Sequence, residues 1–252
     1  MLCKDIISKI ESVYPKNAAM EWDNVGLLVG RSDKEVKQIY VALDVTDEVI
    51  AEAIEKKADL LVAHHPLIFS PLNRISDSDF IGRRILKLIQ NDISCYAMHT
   101  NYDILRMGQL AGEILGLENI ESFEENGIGK AGELSYAMTV TELCKLIKEK
   151  FSLESVKIYG DTNTVVKKIA ISPGSGKHMS DIAIEKKLDA LVTAEIDHHE
   201  GIDSVAQGTV IIDAGHYGLE HIFIRDMELF LKEHLEGINV SAAEVKHPFC
   251  VL

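Results

Sequence analysis

Five side chains that commonly bind transition metals follow three separate apolar strands of the predicted structure. His64 and His65 come directly after the run DLLVA, Asp103 lies in HTNYD, and His216 and Glu220 lie in GHYGLE. A mixed set of imidazole and carboxylate ligands suits zinc, manganese, iron or cobalt. Five protein ligands would leave open coordination positions on two divalent ions, as catalytic sites do. The set therefore predicts a dinuclear metal centre, with Asp103 and Glu220 as the natural bridging carboxylates.

Each part of this set has a simpler interpretation when it is taken alone. Adjacent histidines are often surface or capping residues, and an aspartate such as Asp103 is a frequent helix N-cap. A His and a Glu four residues apart on a helix share a face and can form an ordinary surface pair. However, Pro66 holds His65 out of the helical region, so the two neighbouring imidazoles can turn towards one cleft. The convergence of three strand ends favours the metal site.

Three further residues are candidates for proton transfer near a metal-bound water: His99, Glu195 and His199. His99 could orient Asp103 or line the pocket, and a hydrogen-bonded core histidine is the alternative. Glu195 takes the place of His65 in an internal repeat. Glu195 or His199 could serve as a general base or support the metal ligands. A solvated loop is the alternative for both.

The elements that must position these residues are short apolar strands that alternate with helices along nearly the whole chain. The first clear unit runs IYVALDVT, DEVIAEAIEKK and ADLLVAHH. Continuous apolar strands joined by helices imply parallel pairing with helices on both faces. In such sheets the functional groups gather at the carboxyl ends of the strands. The pattern predicts an α/β fold.

An internal repeat indicates that the fold contains two similar halves. Residues 36–62 align without gaps on residues 166–192, with 11 identities in 27 positions, and AIEKK occurs in both segments. Later in each half an apolar strand precedes a histidine and an acid four residues apart, so that His99 is predicted to mirror His216. We therefore expect two α/β domains with mostly parallel sheets flanked by helices.

A Gly- and Glu-rich stretch, residues 121–134, interrupts the alternation and is the best candidate for a linker. The predicted first domain covers residues 1–125 and is completed by the C-terminal segment 226–252. The predicted second domain covers residues 126–225.

Composition limits the location and the partners of the protein. The 252 residues include 26 basic and 40 acidic ones, for a formal charge of −14, which argues against broad binding to nucleic acid or anionic membranes. Four dispersed cysteines without a CxxC pair are typical of reduced thiols in a cytosolic protein. Neither a signal peptide nor a membrane span is evident, so we expect a cytoplasmic protein. Trp22, with Asp23 and Asn24, could pack beside the site, although a lone tryptophan is most often a core residue.

Four motifs resemble those of the NGG-one-interacting-factor-three-like family, whose bacterial and archaeal members are often named GTP cyclohydrolase I type 2 homologues. They are WDNVGLLVG (22–30), HHPLIF (64–69), HTNYD (99–103) and GHYGLE (215–220). They span nearly the whole chain in the family's order and spacing. The resemblance implies two α/β domains around a dinuclear metal site. The family's ligands fall on the five residues already selected: His64, His65, Asp103, His216 and Glu220.

The resemblance also carries expectations about assembly. The chain is similar to the short form of the family, without the domain that longer members insert between the halves. A ring-shaped homohexamer with sites facing an internal cavity is implied. One departure is Tyr102, where the family usually has a small aliphatic residue, and it could alter the wall of the site.

The function predicted from the ligand set and the resemblance is a metal-dependent hydrolase that acts on a small, nucleotide-like substrate. For GTP, hydroxide would attack C8 of the purine and a neighbouring His or Glu would protonate the departing nitrogen. The alternative is a non-catalytic metal-binding scaffold that acts through partners. A phosphoesterase or nuclease with the same two ions is a third option, although the acidic charge weighs against long nucleic acids.

Overall fold

The computed structural model describes residues 1–176 and 178–251. Within them the chain forms a mixed α/β structure with two sheets flanked by helices, and it divides into two compact units. The first unit comprises Met1–Tyr102 and Phe223–Val245. The second comprises Asp103–Ile222 and the C-terminal residues from Lys246 onwards. The predicted α/β class is confirmed.

The strands of the described residues are short, and most are buried and apolar. In chain order they are β1 (Gly26–Val29), β2 (Gln38–Ala42), β3 (Leu60–Ala63), β4 (Ser94–Ala97), β5 (Glu118–Ser122), β6 (Lys130–Thr139), β7 (Lys157–Tyr159), β8 (Val165–Ser172), β9 (Ala190–Thr193), β10 (Val210–Asp213) and β11 (Asn239–Ala242).

The α-helices connect these strands. In chain order they are α1 (Cys3–Val13), α2 (Asp47–Glu55), α3 (Phe80–Gln90), α4 (Thr100–Tyr102), α5 (Gly108–Leu115), α6 (Val140–Lys150), α7 (Met179–Glu185), α8 (His198–Ala206), α9 (His216–Glu220) and α10 (Ile222–His234). A short 3-10 helix at Lys16–Ala18 and a π-helical turn at Asp103–Met107 complete the set. Across the described part of the chain, we find no helix with the length and apolar character needed to cross a membrane.

The first unit contains a five-stranded sheet in the order β1-β4-β3-β2-β11. Its strands β4, β3, β2 and β11 are parallel, and β1 joins the edge antiparallel to β4. Buried aliphatic residues of these strands, such as Leu61, pack against buried residues of α2 and α3, including Ile50 and Leu88. This sheet follows the predicted parallel pattern because each parallel connection carries a helix or a long crossover.

The second unit contains a six-stranded sheet in the order β5-β6-β8-β9-β10-β7. Only β8, β9 and β10 are parallel, while β5, β6 and β7 pair antiparallel. Its core includes Phe123, Ala183, Leu191 and Ile211. The second sheet is therefore mixed rather than mostly parallel.

The internal repeat is visible in the strand register. Ile39 of β2 pairs with Leu60 of β3, and Ile169 of β8 pairs with Ala190 of β9, so equivalent positions pair in both units. In each unit a third parallel strand follows in the sheet, β4 in the first and β10 in the second. An antiparallel edge strand comes next, β1 in the first and β7 in the second. The predicted repeat thus describes two similar strand–helix–strand units.

In each repeat, the aspartate just before the second strand binds the backbone at the start of the repeat. Asp59 and Asp189 each accept hydrogen bonds from two successive backbone amides at the start of the repeat. These are residues 37 and 38 for Asp59, at 2.7 and 3.0 Å, and residues 167 and 168 for Asp189, both at 2.8 Å. Hydrogen bonds to a charged acceptor are strong, so the same device fixes the register in both halves.

The repeat does not make His99 the counterpart of His216. In each unit the residue after the third parallel strand donates its backbone N–H to the last residue of the second strand (Met98 to Ala63, and Ala214 to Thr193). His99 is therefore equivalent to Gly215, one residue before His216. The predicted correspondence is wrong by one residue, because the stretches that lead to the third strand differ in length and the ungapped sequence match ends before them.

The stretch predicted as a linker is instead part of the second sheet. Residues 118–122 and 130–139 form β5 and β6, which pair antiparallel, so most of 121–134 lies in a hairpin. The compact units divide after Tyr102 and after Ile222, whereas the sequence placed the boundaries at 125 and 225. The second unit begins earlier in the chain than predicted because α5 and β5 pack with the second sheet.

Candidate metal-binding site

Three histidines of the first unit gather at the carboxyl ends of two adjacent parallel strands. His64 and His65 follow β3 directly, and both backbone amides donate to the carbonyl of Leu43, at 3.1 and 2.9 Å. His99 comes two residues after β4, the neighbour of β3. One ligand atom from each of the three imidazoles lies within 4.8 Å of the others. The first unit therefore contains a group that could hold a metal ion.

Hydrogen bonds fix the orientation of the first two imidazoles. Nδ1 of His64 lies 2.7 Å from the carbonyl oxygen of Met98. A carbonyl only accepts, so Nδ1 carries the proton and Nε2 keeps its lone pair. Nδ1 of His65 lies 2.7 Å from a carboxylate oxygen of Asp44. Metal-binding histidines usually donate their second ring nitrogen to such acceptors, so both residues fit the role of a ligand.

His99 is held in the same manner by a buried carboxylate. Its Nδ1 lies 2.9 Å from Oδ1 of Asp23, whose side chain is fully buried. The backbone N–H and the hydroxyl of Thr100 donate to Oδ2 of Asp23, at 2.9 and 2.5 Å. Burial raises the pKa of Asp23, but the hydrogen bonds from His99 and Thr100 outweigh it and lower the pKa to about 2. Asp23 therefore remains charged and keeps His99 in one orientation.

Aromatic side chains surround His64 on the inner side. Its ring centroid lies 4.9 Å from that of His65 and 5.2 Å from that of Phe223. Tyr102 is fully buried, contacts the rings of His64 and Phe223, and donates its hydroxyl to Asp226 at 2.7 Å. Tyr102, which we expected to alter the wall of the site, thus belongs to the packed wall behind His64.

The second unit gathers two acids and a histidine. Glycine at position 215, with φ of 79°, ends the turn after β10 and allows α9 to begin at His216. Nε2 of His216 lies 3.0 Å from a carboxylate oxygen of Glu220, as expected for residues one helical turn apart. A carboxylate oxygen of Asp103 lies within 4.8 Å of one of Glu220. Both acids are buried, and the imidazole of His216 lies beside Glu220.

The structure distinguishes among the other candidate residues. Glu195 is exposed, and its carboxylate lies 3.4 Å from Nδ1 of His216. His199 is exposed on the first turn of α8, with its ring 5.3 Å from that of His198. Among the described residues, the groups of three or more potential ligands include neither Glu195 nor His199. The N-cap alternative for Asp103 is wrong, because this residue begins the π-helical turn directly after α4.

Sequence reasoning missed Asp44, and of its two alternatives for Trp22 and Asp23 the position beside the site agrees with the structure. Asp44 follows β2, the neighbour of β3, so the rule that functional groups lie at strand ends could have selected it. Asp23 precedes the antiparallel strand β1, where that rule gives no signal. Trp22 is not a core residue, since 59% of its surface is exposed.

Comparisons with known proteins identify the family of this chain. The family model Duf34/NIF3 (NGG1p interacting factor 3) matches residues 1–248. A relative from Clostridium perfringens, named GTP cyclohydrolase 1 type 2 homolog, is 37% identical over 99% of this chain and 99% of its own. A relative of the same name from Clostridium acetobutylicum is 34% identical over 94% of this chain and 92% of its own.

A solved structure extends the likeness to the whole fold. The crystal structure of a Staphylococcus aureus hypothetical protein superposes with a TM-score of 0.91 at 30% identity, and the match covers 100% of this chain and 99% of that one. The family match and the identities span nearly all of the sequence. The chain therefore belongs to the Duf34/NIF3 (NGG1p interacting factor 3) family.

Proposed function

We propose that this protein binds two divalent metal ions and uses them to hydrolyse a small, nucleotide-like substrate. The proposed ligands are His64, His65, Asp103, His216 and Glu220. The observation that carries the proposal is the fixed orientation of the imidazoles, because Nδ1 of His64 and of His65 each faces an oxygen acceptor, as the second ring nitrogen of a metal-binding histidine usually does. The names of the relatives, GTP cyclohydrolase 1 type 2 homologs, support a nucleotide as the substrate class.

The ligand chemistry favours first-row transition metals over magnesium or calcium. Histidine nitrogens and carboxylate oxygens together suit zinc, iron, manganese or cobalt. Glu220 and Asp103 are the proposed bridging ligands, since their carboxylate oxygens lie within 4.8 Å of each other and both residues are buried. Metal ions that bind only the folded chain would add free energy to the folded state.

Bound metal ions would lower the pKa of a water molecule and polarise the electrophilic carbon of the substrate. The chain's own residues supply the remaining steps. Glu195 contacts Nδ1 of His216 and is exposed, so it can both orient that imidazole and exchange protons with solvent. His99 lies among the histidines of the first unit with its Nδ1 held by Asp23, and is the proposed proton donor to the departing nitrogen. His199, exposed at the start of α8, is the third candidate for proton transfer.

The first experiment measures metal content. Protein purified without chelator, or reconstituted with zinc, manganese or iron, should contain about two metal ions per chain by elemental analysis. His65→Ala should lose at least one of them. His234→Ala removes an exposed imidazole of α10 and is the matched control, which should keep the wild-type content. Protein that stays metal-free after reconstitution would contradict the proposal.

The second experiment measures turnover. Metal-loaded protein is incubated with GTP, and formate and ring-opened products are quantified, followed by a screen of other nucleotides. His64→Ala and Glu220→Ala should both abolish any turnover that wild type shows. Metal binding without turnover across the screen would favour the alternative, a metal-binding scaffold that acts through partners. Cleavage of phosphate esters instead would identify a phosphoesterase with the same ligands.

The family resemblance also supports a proposal about assembly. We expect a homohexamer in solution, which light scattering coupled to size exclusion would measure directly. A monomer at micromolar concentration would contradict this part of the proposal and leave the metal site untouched.

A further inference from the structure

An exposed pair of aromatic side chains lies beside the histidines of the first unit. The ring centroids of Trp22 and Phe69 are 5.9 Å apart, and 59% and 55% of their surfaces are exposed. Both rings also lie edge-on to His99, at centroid distances of 6.0 and 6.4 Å. Apolar rings this exposed contribute little to folding, because most of their surface stays in water. Their position against His99 therefore calls for a functional explanation.

The backbone beside both rings is fixed by hydrogen bonds. Asp23, directly after Trp22, has a fully buried carboxylate that accepts four hydrogen bonds. The side-chain amide of Asn24 donates to the carbonyl of Ile68, directly before Phe69, at 2.6 Å. The same short segment thus anchors one ring and connects it to the other. A preorganised pair of rings loses little conformational entropy when a ligand binds.

We propose that Trp22 and Phe69 form a stacking platform for the planar nitrogen heterocycle of the substrate. The inference rests on the proposed function for the reaction, and it adds the residues that select the ring. Aromatic side chains stack on every nucleobase, because each base has a π-face, whereas a sugar or a phosphate alone needs polar partners. Contact of both rings with His99 would place the heterocycle next to the groups proposed to act on it.

The size of the platform favours a small molecule over a protein partner. A stable protein–protein interface buries upwards of about 1,000 Å². Two exposed rings supply only a fraction of that area. Their planes are inclined by 52°, so a single base can stack on one ring while its edge meets the other. Stacking on such side chains weakens by at least about fivefold when the aromatic side chain is removed.

The test compares two ligands that differ only in the ring. Guanosine monophosphate and ribose 5-phosphate are titrated by calorimetry into full-length protein, once reconstituted with zinc and once in chelator. The ratio of the two affinities isolates the contribution of the base, because both ligands carry the same sugar phosphate. Trp22→Ala should lower this ratio at least about fivefold, and Trp22→Phe should restore most of it. Tyr136→Ala, which removes a side chain 66% exposed in the second unit, should leave it unchanged.

A second readout follows from the composition. Trp22 is the only tryptophan of the chain, so tryptophan emission reports on this platform alone. Guanosine monophosphate should quench the emission of wild type and of Tyr136→Ala in a saturable manner, and ribose 5-phosphate should not.

The outcomes separate this inference from the proposed function. A ratio that falls in Trp22→Ala supports the platform even if the protein proves to bind no metal. An unchanged ratio overturns the platform even if metal-dependent turnover is found. Failure of guanosine monophosphate to bind either form of the protein also overturns it. If Trp22→Ala instead dissociates an oligomer and leaves the ratio unchanged, the surface is an interface between copies and the inference is wrong.

Discussion

Replacing Asp23 with asparagine tests whether the buried carboxylate behind His99 stabilises the fold. The pKa of Asp23 is lowered from 3.8 to about 2. One pKa unit corresponds to about 1.4 kcal/mol, so the ionised carboxylate favours the folded state by about 2 kcal/mol at neutral pH. Asparagine keeps the shape but removes the charge, and its amide cannot accept all four hydrogen bonds. Asp23→Asn should therefore lower the free energy of unfolding at pH 7 by about 2 kcal/mol.

The pH dependence gives the prediction a second signature. The pKa of Asp23 is lower in the folded than in the unfolded chain, so the stabilisation is complete above the unfolded value of about 3.8. It is lost as pH falls through the folded value of about 2. The difference between wild type and Asp23→Asn should stay constant from pH 7 to about pH 5 and shrink below about pH 4.

Urea unfolding in chelator measures this difference without a contribution from metal. For a chain of this length, about 2 kcal/mol corresponds to a melting temperature lower by about 4–8 °C. Asp77→Asn changes an exposed carboxylate of the same unit and is the matched control, which should unfold like wild type. If Asp23→Asn unfolds at pH 7 with the free energy of wild type, the hydrogen bonds around Asp23 do not stabilise the fold and the reasoning is refuted.

Three further predictions concern the repeat, a helix start and the metals. Asp59→Asn and Asp189→Asn each weaken two hydrogen bonds from backbone amides, and each should lower the free energy of unfolding in urea by about 1–3 kcal/mol. A loss of stability in only one of the two variants would show that the two loops are not equivalent. Thr139 caps the start of α6 in a capping box with Glu142, so Thr139→Ala should lower the free energy of unfolding by about 1 kcal/mol. Thr139→Ser keeps the hydroxyl and should retain most of this stability, and equal losses in the two variants would contradict the capping assignment. Chelator should lower the melting temperature at pH 7, and the effect should fade below about pH 6.5, as protons displace metal from the imidazoles; an unchanged melting temperature at pH 7 would mean that no metal is held.

The sequence predicts the first unit well because its strands carry a strong signal. β3 and β4 are fully buried apolar runs, and the polar residues that follow them are the histidines of the candidate site. The carboxyl ends of adjacent parallel strands share one edge, so His64, His65 and His99 meet without any long-range information. The same argument would have found Asp44, which follows β2.

The parts that the sequence does not predict lack a periodic pattern. β5 has mostly exposed residues, so its sequence resembles a loop, and the hairpin it forms with β6 was predicted as a linker. The partnership between Asp23 and His99 joins residues far apart in the chain through an antiparallel edge, where local spacing carries no information. The exposure of Trp22 depends on the tertiary structure around it, because a lone tryptophan is most often buried.

The position of β11 has a consequence for the order in which the protein is made. The six strands of the second sheet all lie between Glu118 and Asp213, so that sheet can form before the end of the chain leaves the ribosome. The first sheet begins earlier but ends later, because β11 at Asn239–Ala242 pairs with β2 at its edge. During synthesis the unpaired edge of β2 must wait for about 200 residues of intervening chain, and an open strand edge is a site for misassociation. The half of the molecule that is translated first is thus the half that is finished last, and the edge of β2 stays open until β11 is added.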